Sequence, residues 1–145
     1  MASFFPDPSH FSMSGAYYPK GHVFAMFNDT APARAAVDSV AGLPKVGEVQ
    51  FLSPESIVQA FAERVESVGG IPSVGREDQF MLRYVELAKE GKAGILIDIA
   101  DAAPEEVSAA LSVSGAVLAY HYRALVIEEL VQTAPHAEEA ASGKL

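Results

Sequence analysis

The amino-acid sequence predicts an α+β domain built around an antiparallel sheet. Four short apolar segments have the composition and the flanking turn residues of strands. The segments between them repeat apolar residues at helical spacing. Half of the 145 residues are hydrophobic and 20% are charged, which is typical of one globular domain with its own core.

The first strand and helix are predicted at 22–29 and from Thr30 onward. The strand HVFAMFND lies between Gly21 and the turn-forming residues NDTAP. Thr30 is a suitable N-cap, and Pro32 is tolerated in a first helical turn. The apolar face of this helix consists of Ala33, Ala36, Val37 and Val40.

The end of this helix contains a pattern that occurs twice, DSVAGLPKVG at 38–47 and ESVGGIPSVG at 66–75. We interpret both copies as helix ends, with Gly42 and Gly70 in the left-handed conformation and the following proline blocking continuation. The alternative is a pair of glycine-rich anion-binding loops. Such loops precede a helix, whereas the first copy leads into a strand, so helix termination is favoured.

A second strand and two helices are predicted next. EVQFL at 48–52 alternates as a strand, and Ser53 with Pro54 begins a helix at 53–68. A third helix ends at Gly91. Its apolar residues are Phe80, Met81, Tyr84, Val85 and Ala88.

The last confident elements are a strand at 93–100, a helix that begins at Pro104 and ends at Gly115, and a strand at 116–123. The apolar spacing of 124–132 leaves open whether this segment extends the strand or forms a turn or two of helix.

The chain divides into an aromatic N-terminal arm (1–20), a folded domain (21–132) and a flexible tail (133–145). Disordered tails are usually poor in aromatic residues. The arm is rich in them, so we expect it to pack on its own domain or on a neighbouring subunit. The aromatic residues of the arm are Phe4, Phe5, Phe11, Tyr17 and Tyr18.

Without the extra helix at 53–68, the element order predicts a split βαβ, or ferredoxin-like, fold. This fold has a four-stranded antiparallel sheet with helices on one face, here with one inserted helix. Its second face would be open.

Two long segments resemble small bacterial domains grouped with general stress proteins. HVFAMFNDTAPARAAVDSV is similar to their first strand and helix, and YVELAKEGKAGILIDIADAAPEEVSAALSVSGAVLAYHY to their second half. VIEEL is similar to the end of some members, so the likeness covers 21–131. The resemblance implies a ferredoxin-like fold and a stress-associated role, and it supplies no functional residues.

The open face is the predicted interaction surface. Strand alternation turns Ile95, Ile97, Ile99, Leu118 and Tyr120 toward the helices. It leaves Phe24, Met26, Leu96, Val117 and Ala119 on the open face beside Asp98, His121 and Arg123. A large exposed apolar patch normally marks a partner surface. We therefore expect a homodimer or higher oligomer that buries this face, with the aromatic arm adding contacts.

A ligand pocket between the subunits is the alternative use of this face. His121 and Arg123 would bind an anion there, with Asp98 nearby, or His121 would act as a base. The sequence thus favours a non-catalytic, self-associating, stress-associated or ligand-binding protein. The alternative is a small-molecule enzyme of the dimeric α+β-barrel type that uses His121 and Arg123.

Charge and composition disfavour several other classes. A net charge of −9 without a basic cluster argues against nucleic acid and anionic membrane surfaces as partners. The absence of cysteine and of a signal segment fits a cytoplasmic protein. The four histidines lack zinc-site spacing, and no nucleotide-binding motif is present. The sequence therefore predicts neither a metal nor a cofactor.

Overall fold

The computed structural model describes residues 17–68, 76–124 and 126–132, which form an α+β fold with five strands and four helices. The elements are β1 (His22–Phe27), α1 (Thr30–Ala41), β2 (Val49–Leu52), α2 (Pro54–Val68), α3 (Arg76–Lys89), β3 (Ala93–Asp98), α4 (Pro104–Val113), β4 (Ala116–Tyr122) and β5 (Ile127–Gln132). The arm before Tyr17, most of the second DSVAGLPKVG-like copy and the predicted tail lie outside the described residues.

The sheet is open and has the order β2-β3-β1-β4-β5, with every neighbouring pair antiparallel. It contains five strands rather than the expected four, because the segment left undecided between strand and helix forms β5. A tight turn returns β5 alongside β4, and the Arg123 N–H donates to the Val126 carbonyl at 2.9 Å across this turn. Strands β2 and β5 are therefore the two edges of the sheet.

One face of the sheet is covered by α1 and α4, and this layer is built largely from small residues. Ile95, Ile97 and Ile99 point to this side, as expected. The buried alanines of this layer are Ala25, Ala33, Ala36, Ala93, Ala102, Ala116 and Ala119. Small side chains let helix and sheet backbones approach closely, so this layer is thin.

The second face is not open, and the prediction that the helices lie on one side only is wrong. Phe24, Met26 and Leu96 belong to a buried cluster with residues of α2 and α3. Phe24 and Met26 are 0% exposed, and Leu96 is 6% exposed. Each of these two helices has an apolar face that must be buried, and the second sheet face is the surface they bury it against.

Aromatic rings make this second layer thick. The Tyr84 ring stacks on the Phe24 ring, with 3.8 Å between centroids and 7° between planes. The Phe61 and Tyr17 rings meet edge to face nearby, with centroids 4.7 Å apart. Gly94 of β3 leaves room beneath α2, since a Cβ there would lie 2.9 Å from both the Met26 Sδ and the Ala25 carbonyl oxygen.

The side assignment on β4 is also opposite to the prediction. Phe24 lies opposite Tyr120 in the register, and Leu118 and Tyr120 pack in the aromatic layer. Ala119 belongs to the α1–α4 layer instead. Val117 lies at a register shift between β1 and β4 and is partly buried against the aromatic layer. Both sheet faces are apolar, so the period-two pattern alone does not tell which face meets which helices.

The helix ends agree with the sequence in position but differ in detail. Helix α1 ends at Ala41, yet Gly42 is right-handed, with φ −81° and ψ −5°. The left-handed residue of this turn is Lys45, with φ 65°. Gly91 and Gly115, predicted to stop α3 and α4, do have positive φ, 92° and 91°.

The helix starts also differ at one point. The Asp29 carboxylate, not Thr30, caps α1 by accepting from the Thr30 N–H at 2.8 Å. Ser53 acts as expected at α2, where its hydroxyl oxygen accepts from the Ser56 N–H at 3.2 Å. Across the described ranges, every helix is too short or too polar to cross a membrane.

Candidate functional site

The three predicted ligand-binding residues do not form one site. Asp98 ends β3, where alternation places it on the side of Leu96 and α2. Its carboxylate accepts from the Ala100 N–H at 3.0 Å, and its main-chain carbonyl accepts from the Gly47 N–H at 2.7 Å. Asp98 therefore shapes the turn after β3, and His121 lies toward the opposite face.

His121 and Arg123 do come together, through a glutamate that the sequence analysis does not single out. The β4–β5 register places Glu128 directly opposite His121. The Glu128 Oε1 atom lies 3.6 Å from the His121 Nδ1 and 3.7 Å from the Arg123 Nη1. The sequence could have linked Glu128 to His121 only through a hairpin of β4 and β5, because pairing across a tight turn brings residues 121 and 128 side by side.

The His121 imidazole is buried without a hydrogen bond at Nδ1. The residue is 7% exposed, and Nδ1 has no hydrogen-bond partner. A separation of 3.6 Å is too long for a hydrogen bond, so its contact with Glu128 is electrostatic. Burial lowers the pKa of His121, Glu128 opposes this effect, and Arg123 adds to it. The neutral imidazole is therefore favoured in the folded chain.

A groove lies beside this cluster, between α4 and β5. Its volume is about 390 Å³. The Ser108 Oγ of α4, in its lining, donates to the Leu130 carbonyl of β5 at 3.1 Å and so joins the two walls. The groove is lined by Pro104, Glu105, Ser108, Ala109, Glu128, Glu129 and Leu130. The groove and the histidine cluster thus share one residue, Glu128, which lines the groove and faces the His121 Nδ1.

Two further grooves lack a comparable polar group. One, of about 460 Å³, lies between α2 and α3 and contains Glu55 and Lys89 at its rim. The other, of about 420 Å³, lies between α1 and α4 and is largely apolar, with Glu106 and Val113 at its border. Within the described ranges, no three His, Asp or Glu side chains are grouped closely enough to hold a metal ion.

Two aromatic residues of the arm, Tyr17 and Tyr18, pack on their own domain. Tyr17 is fully buried against Phe24, Phe61 and Tyr122. The Tyr18 hydroxyl donates to the Arg123 and Val126 carbonyls, at 2.6 and 3.1 Å, and so braces the β4–β5 turn. The other arm aromatics, Phe4, Phe5 and Phe11, lie outside the described residues.

The tyrosine cluster of the second layer is structural. The Tyr84 and Tyr122 hydroxyls hydrogen-bond to each other inside the core. Burial raises the pKa of Tyr17 and of Tyr84, with the neighbouring Tyr122 adding to the effect. Both phenols therefore stay protonated at neutral pH, and neither Tyr17 nor Tyr84 supplies a phenolate that could act as a base.

Comparison with known proteins adds no functional assignment. No protein-family model matches the chain, and no curated protein and no solved structure is significantly similar to it. Function is therefore inferred from the geometry of the chain itself.

The buried His121 predicts a specific pH dependence of stability. Because its folded pKa is lowered, the unfolded chain binds the proton more readily. The stabilisation is complete above the unfolded pKa of about 6.5 and is lost as the pH falls below that value through the lower folded pKa. We expect the free energy of unfolding to fall less between about pH 7.5 and about pH 5.5 in His121→Gln than in the wild type.

Urea titrations at the two pH values test this expectation. The His22→Gln variant, which removes a different histidine, is titrated alongside them as the control for the loss of an imidazole. Acid effects of the carboxylates are common to all three proteins and cancel in the comparison. Identical pH dependence in wild type and His121→Gln would contradict the proposed protonation state.

Proposed function

We propose that the protein is a non-catalytic, self-associating domain with a stress-associated, cytoplasmic role, and that two copies join edge to edge at β2. The resemblance of residues 21–131 to bacterial general stress proteins supports the role. The order β2-β3-β1-β4, with α1 and α4 on one face, supports a ferredoxin-like core to which α2, α3 and β5 are added.

Both sheet faces are covered within one chain, so self-association must use another surface. The aromatic layer and the α1–α4 layer leave the sheet only its two edges. An edge strand presents unpaired N–H and C=O groups that can pair with a second chain. The proposal depends on one observation: one of these two edge strands lacks the charges, prolines and bulges that usually guard an edge.

Strand β2 is less protected than β5. Natural edge strands are guarded by charges, prolines and bulges. Strand β5 contains Glu128 and Glu129, and its register with β4 shifts between Ala119 and Tyr120. Strand β2, with the sequence VQFL, has no charge and no proline, and it pairs with β3 without a register shift. The favoured contact is therefore β2 against β2 of a second copy.

The hydrogen bonds already made show which groups point outward. The Asp98 N–H donates to the Glu48 carbonyl at 2.8 Å, so Glu48 faces β3. Antiparallel alternation then turns the backbone groups of Val49 and Phe51 toward the outer edge. A two-fold axis beside β2 would pair these groups antiparallel with their own copies. Four residues supply few such bonds, so we expect a weak, concentration-dependent dimer.

The dimeric α+β-barrel enzyme alternative has less support from the fold. A barrel-type active site needs an uncovered sheet face, and α2 and α3 fill that face with packed rings. The His121 Nδ1 atom is inaccessible, and its nearest charged groups already contact each other.

A proline at Val49 should abolish the dimer while leaving the fold intact. Proline is tolerated on an edge strand where the N–H faces solvent, and it removes the outward donor. We expect sedimentation velocity to show concentration-dependent dimerisation for the wild type and for Val49→Thr, which retains the N–H. Val49→Pro should stay monomeric with near-normal circular dichroism. A wild type that is monomeric throughout, or a Val49→Pro variant that still dimerises, would refute the β2 contact.

A further inference from the structure

We propose that ion pairs between Arg34 of one copy and Asp38 of a second copy fix the register of the β2–β2 contact. This inference rests on the proposed function, since it requires two copies to join edge to edge at β2. It adds what that contact leaves open, namely which residues of the two strands lie opposite each other.

Three symmetric registers satisfy the outward backbone groups of β2. In an antiparallel pair, residues whose N–H and C=O groups face the partner strand lie opposite one another. A two-fold axis can therefore pass beside Val49, Gln50 or Phe51. The axis beside Gln50 pairs Val49 with the partner's Phe51, whereas the other two axes pair Val49 or Phe51 with itself. Only the Gln50 axis pairs both outward residues within the strand Val49–Leu52.

This register also pairs the side chains favourably. Val49 and Phe51 lie on the α1 side of the sheet and are only partly buried against that layer. Each Phe51 ring would meet the partner's Val49 across the axis, and aromatic and β-branched residues form a favourable cross-strand pair. The contact therefore buries an apolar strip that a single copy leaves partly exposed.

Helix α1 carries a charge of each sign along the β2 edge. The Arg34 guanidinium lies over the Phe51 ring, 4.2 Å from its centroid. Strands β1 and β2 are both antiparallel to β3, so α1, which connects them, runs opposite to β2. Asp38 is on the same side of the helix as Arg34, about 6 Å further along. This step matches two residues of a strand, about 6.8 Å, and brings Asp38 near the level of Val49.

The two-fold axis converts this spacing into charge complementarity. Helix α1 lies against β2 and β3, so its two copies would be about 10 Å apart, the separation of packed helices. With the axis beside Gln50, Arg34 of each copy faces the partner's Asp38. With the axis beside Val49 the two Asp38 carboxylates would face each other, and beside Phe51 the two Arg34 guanidiniums would. Like charges disfavour both of these registers, so charge and backbone pairing select the same one.

Charge reversal in a mixture of two variants tests the proposal on the full chain. In Arg34→Glu alone and in Asp38→Arg alone, both pairs across the axis become repulsive. We expect each variant to dimerise about tenfold more weakly than the wild type. In an equimolar mixture, each variant meets the opposite charge on the other, so the heterodimer should recover the wild-type affinity. Sedimentation velocity with one variant fluorescently labelled measures this recovery.

The matched control replaces Asp38→Arg by Glu106→Arg, which makes the same change in net charge on the exposed surface of α4. Its mixture with Arg34→Glu should not recover, because that heterodimer keeps one repulsive pair. Equal recovery in both mixtures would indicate attraction by net charge alone and would overturn the proposal. Single variants that dimerise like the wild type would overturn it as well.

A single introduced cysteine reports the register directly, because the chain has no cysteine of its own. With the axis beside Gln50, the two copies of Gln50→Cys lie opposite each other, close enough for a disulfide. The two copies of Val49→Cys would be more than about 7 Å apart, too far for a disulfide. We expect oxidation to give a covalent dimer with Gln50→Cys and a monomer with Val49→Cys, and the reverse result would contradict the register.

The β2 contact and its register fail in different ways. A monomeric wild type, or a Val49→Pro variant that still dimerises, would refute the β2 contact itself. If Val49→Pro is monomeric but the Arg34→Glu and Asp38→Arg mixture recovers no affinity, the β2 contact stands and the proposed ion pairs are wrong.

Discussion

Replacing Met26 with Asp is expected to unfold the chain rather than to separate a dimer. Met26 is 0% exposed, on the central strand β1 between β3 and β4, and it packs in the aromatic layer. A carboxylate at this position would have neither water nor a cation beside it to stabilise its charge. We expect the free energy of unfolding to fall by about 4 kcal/mol or more.

Thermal and urea unfolding, followed by circular dichroism, measure this loss. The control is Val113→Asp, which introduces the same side chain at an apolar position that is 89% exposed on α4. That variant should lie within about 0.5 kcal/mol of the wild type. A folded Met26→Asp monomer would show that the second sheet face is open to water, as the sequence alone had suggested.

Replacing Tyr84 with Ala is the second change with a large expected effect. The Tyr84 ring stacks on Phe24, and its hydroxyl bonds that of Tyr122. Truncation removes one of the aromatic contacts between α3 and the sheet and leaves a cavity. We expect a loss of about 3–5 kcal/mol in the free energy of unfolding, measured by urea titration.

The Tyr84→Phe variant separates packing from hydrogen bonding. It keeps the stacked ring but leaves the buried Tyr122 hydroxyl without this partner, so a smaller loss of about 1–3 kcal/mol is expected. If Tyr84→Ala were no worse than Tyr84→Phe, the ring would contribute little, and α3 could not be closely packed on β1.

A partly buried ion pair between Arg64 and Asp78 also holds α2 and α3 together. The Arg64 guanidinium donates to both Asp78 carboxylate oxygens, from Nε at 2.9 Å and from Nη2 at 2.7 Å. The hydrogen bonding that Arg64 donates to the Asp78 carboxylate is the main cause that raises the pKa of Arg64. This bidentate geometry orients the two helices, and the aromatic residues then attach them to the sheet.

Local structure could be predicted from the sequence because its signals are local. Turn glycines, prolines and polar caps determine where helices begin and end, and Ser53, Gly91 and Gly115 act as predicted. The partner of each apolar face could not be predicted in this way. Phe24 and Met26 carry the same signal whether they meet a helix of their own chain or a second subunit. The prediction of an open face is wrong because it gives the apolar face of the helix at 53–68 no surface to pack against.

The candidate site was predicted only in part for a similar reason. His121 lies near the end of β4 and Arg123 follows two residues later, so their proximity follows from extended-chain spacing. Their link to Glu128 depends on the conformation of the following segment, which its apolar spacing did not decide. The prediction groups Asp98 with them because it assigns His121 and Arg123 to the sheet face of Phe24. The register instead places Phe24 opposite Tyr120, so His121 lies toward the other face, away from Asp98.

Isotope-filtered NOE spectroscopy on a mixture of ¹³C-labelled and unlabelled chains tests most directly whether α2 and α3 cover the sheet within one chain. The Phe24 and Tyr84 rings, with centroids 3.8 Å apart, should give strong NOEs inside labelled chains and none between labelled and unlabelled chains. Strong NOEs between chains for this ring pair would contradict the account and return the second sheet face to a partner subunit.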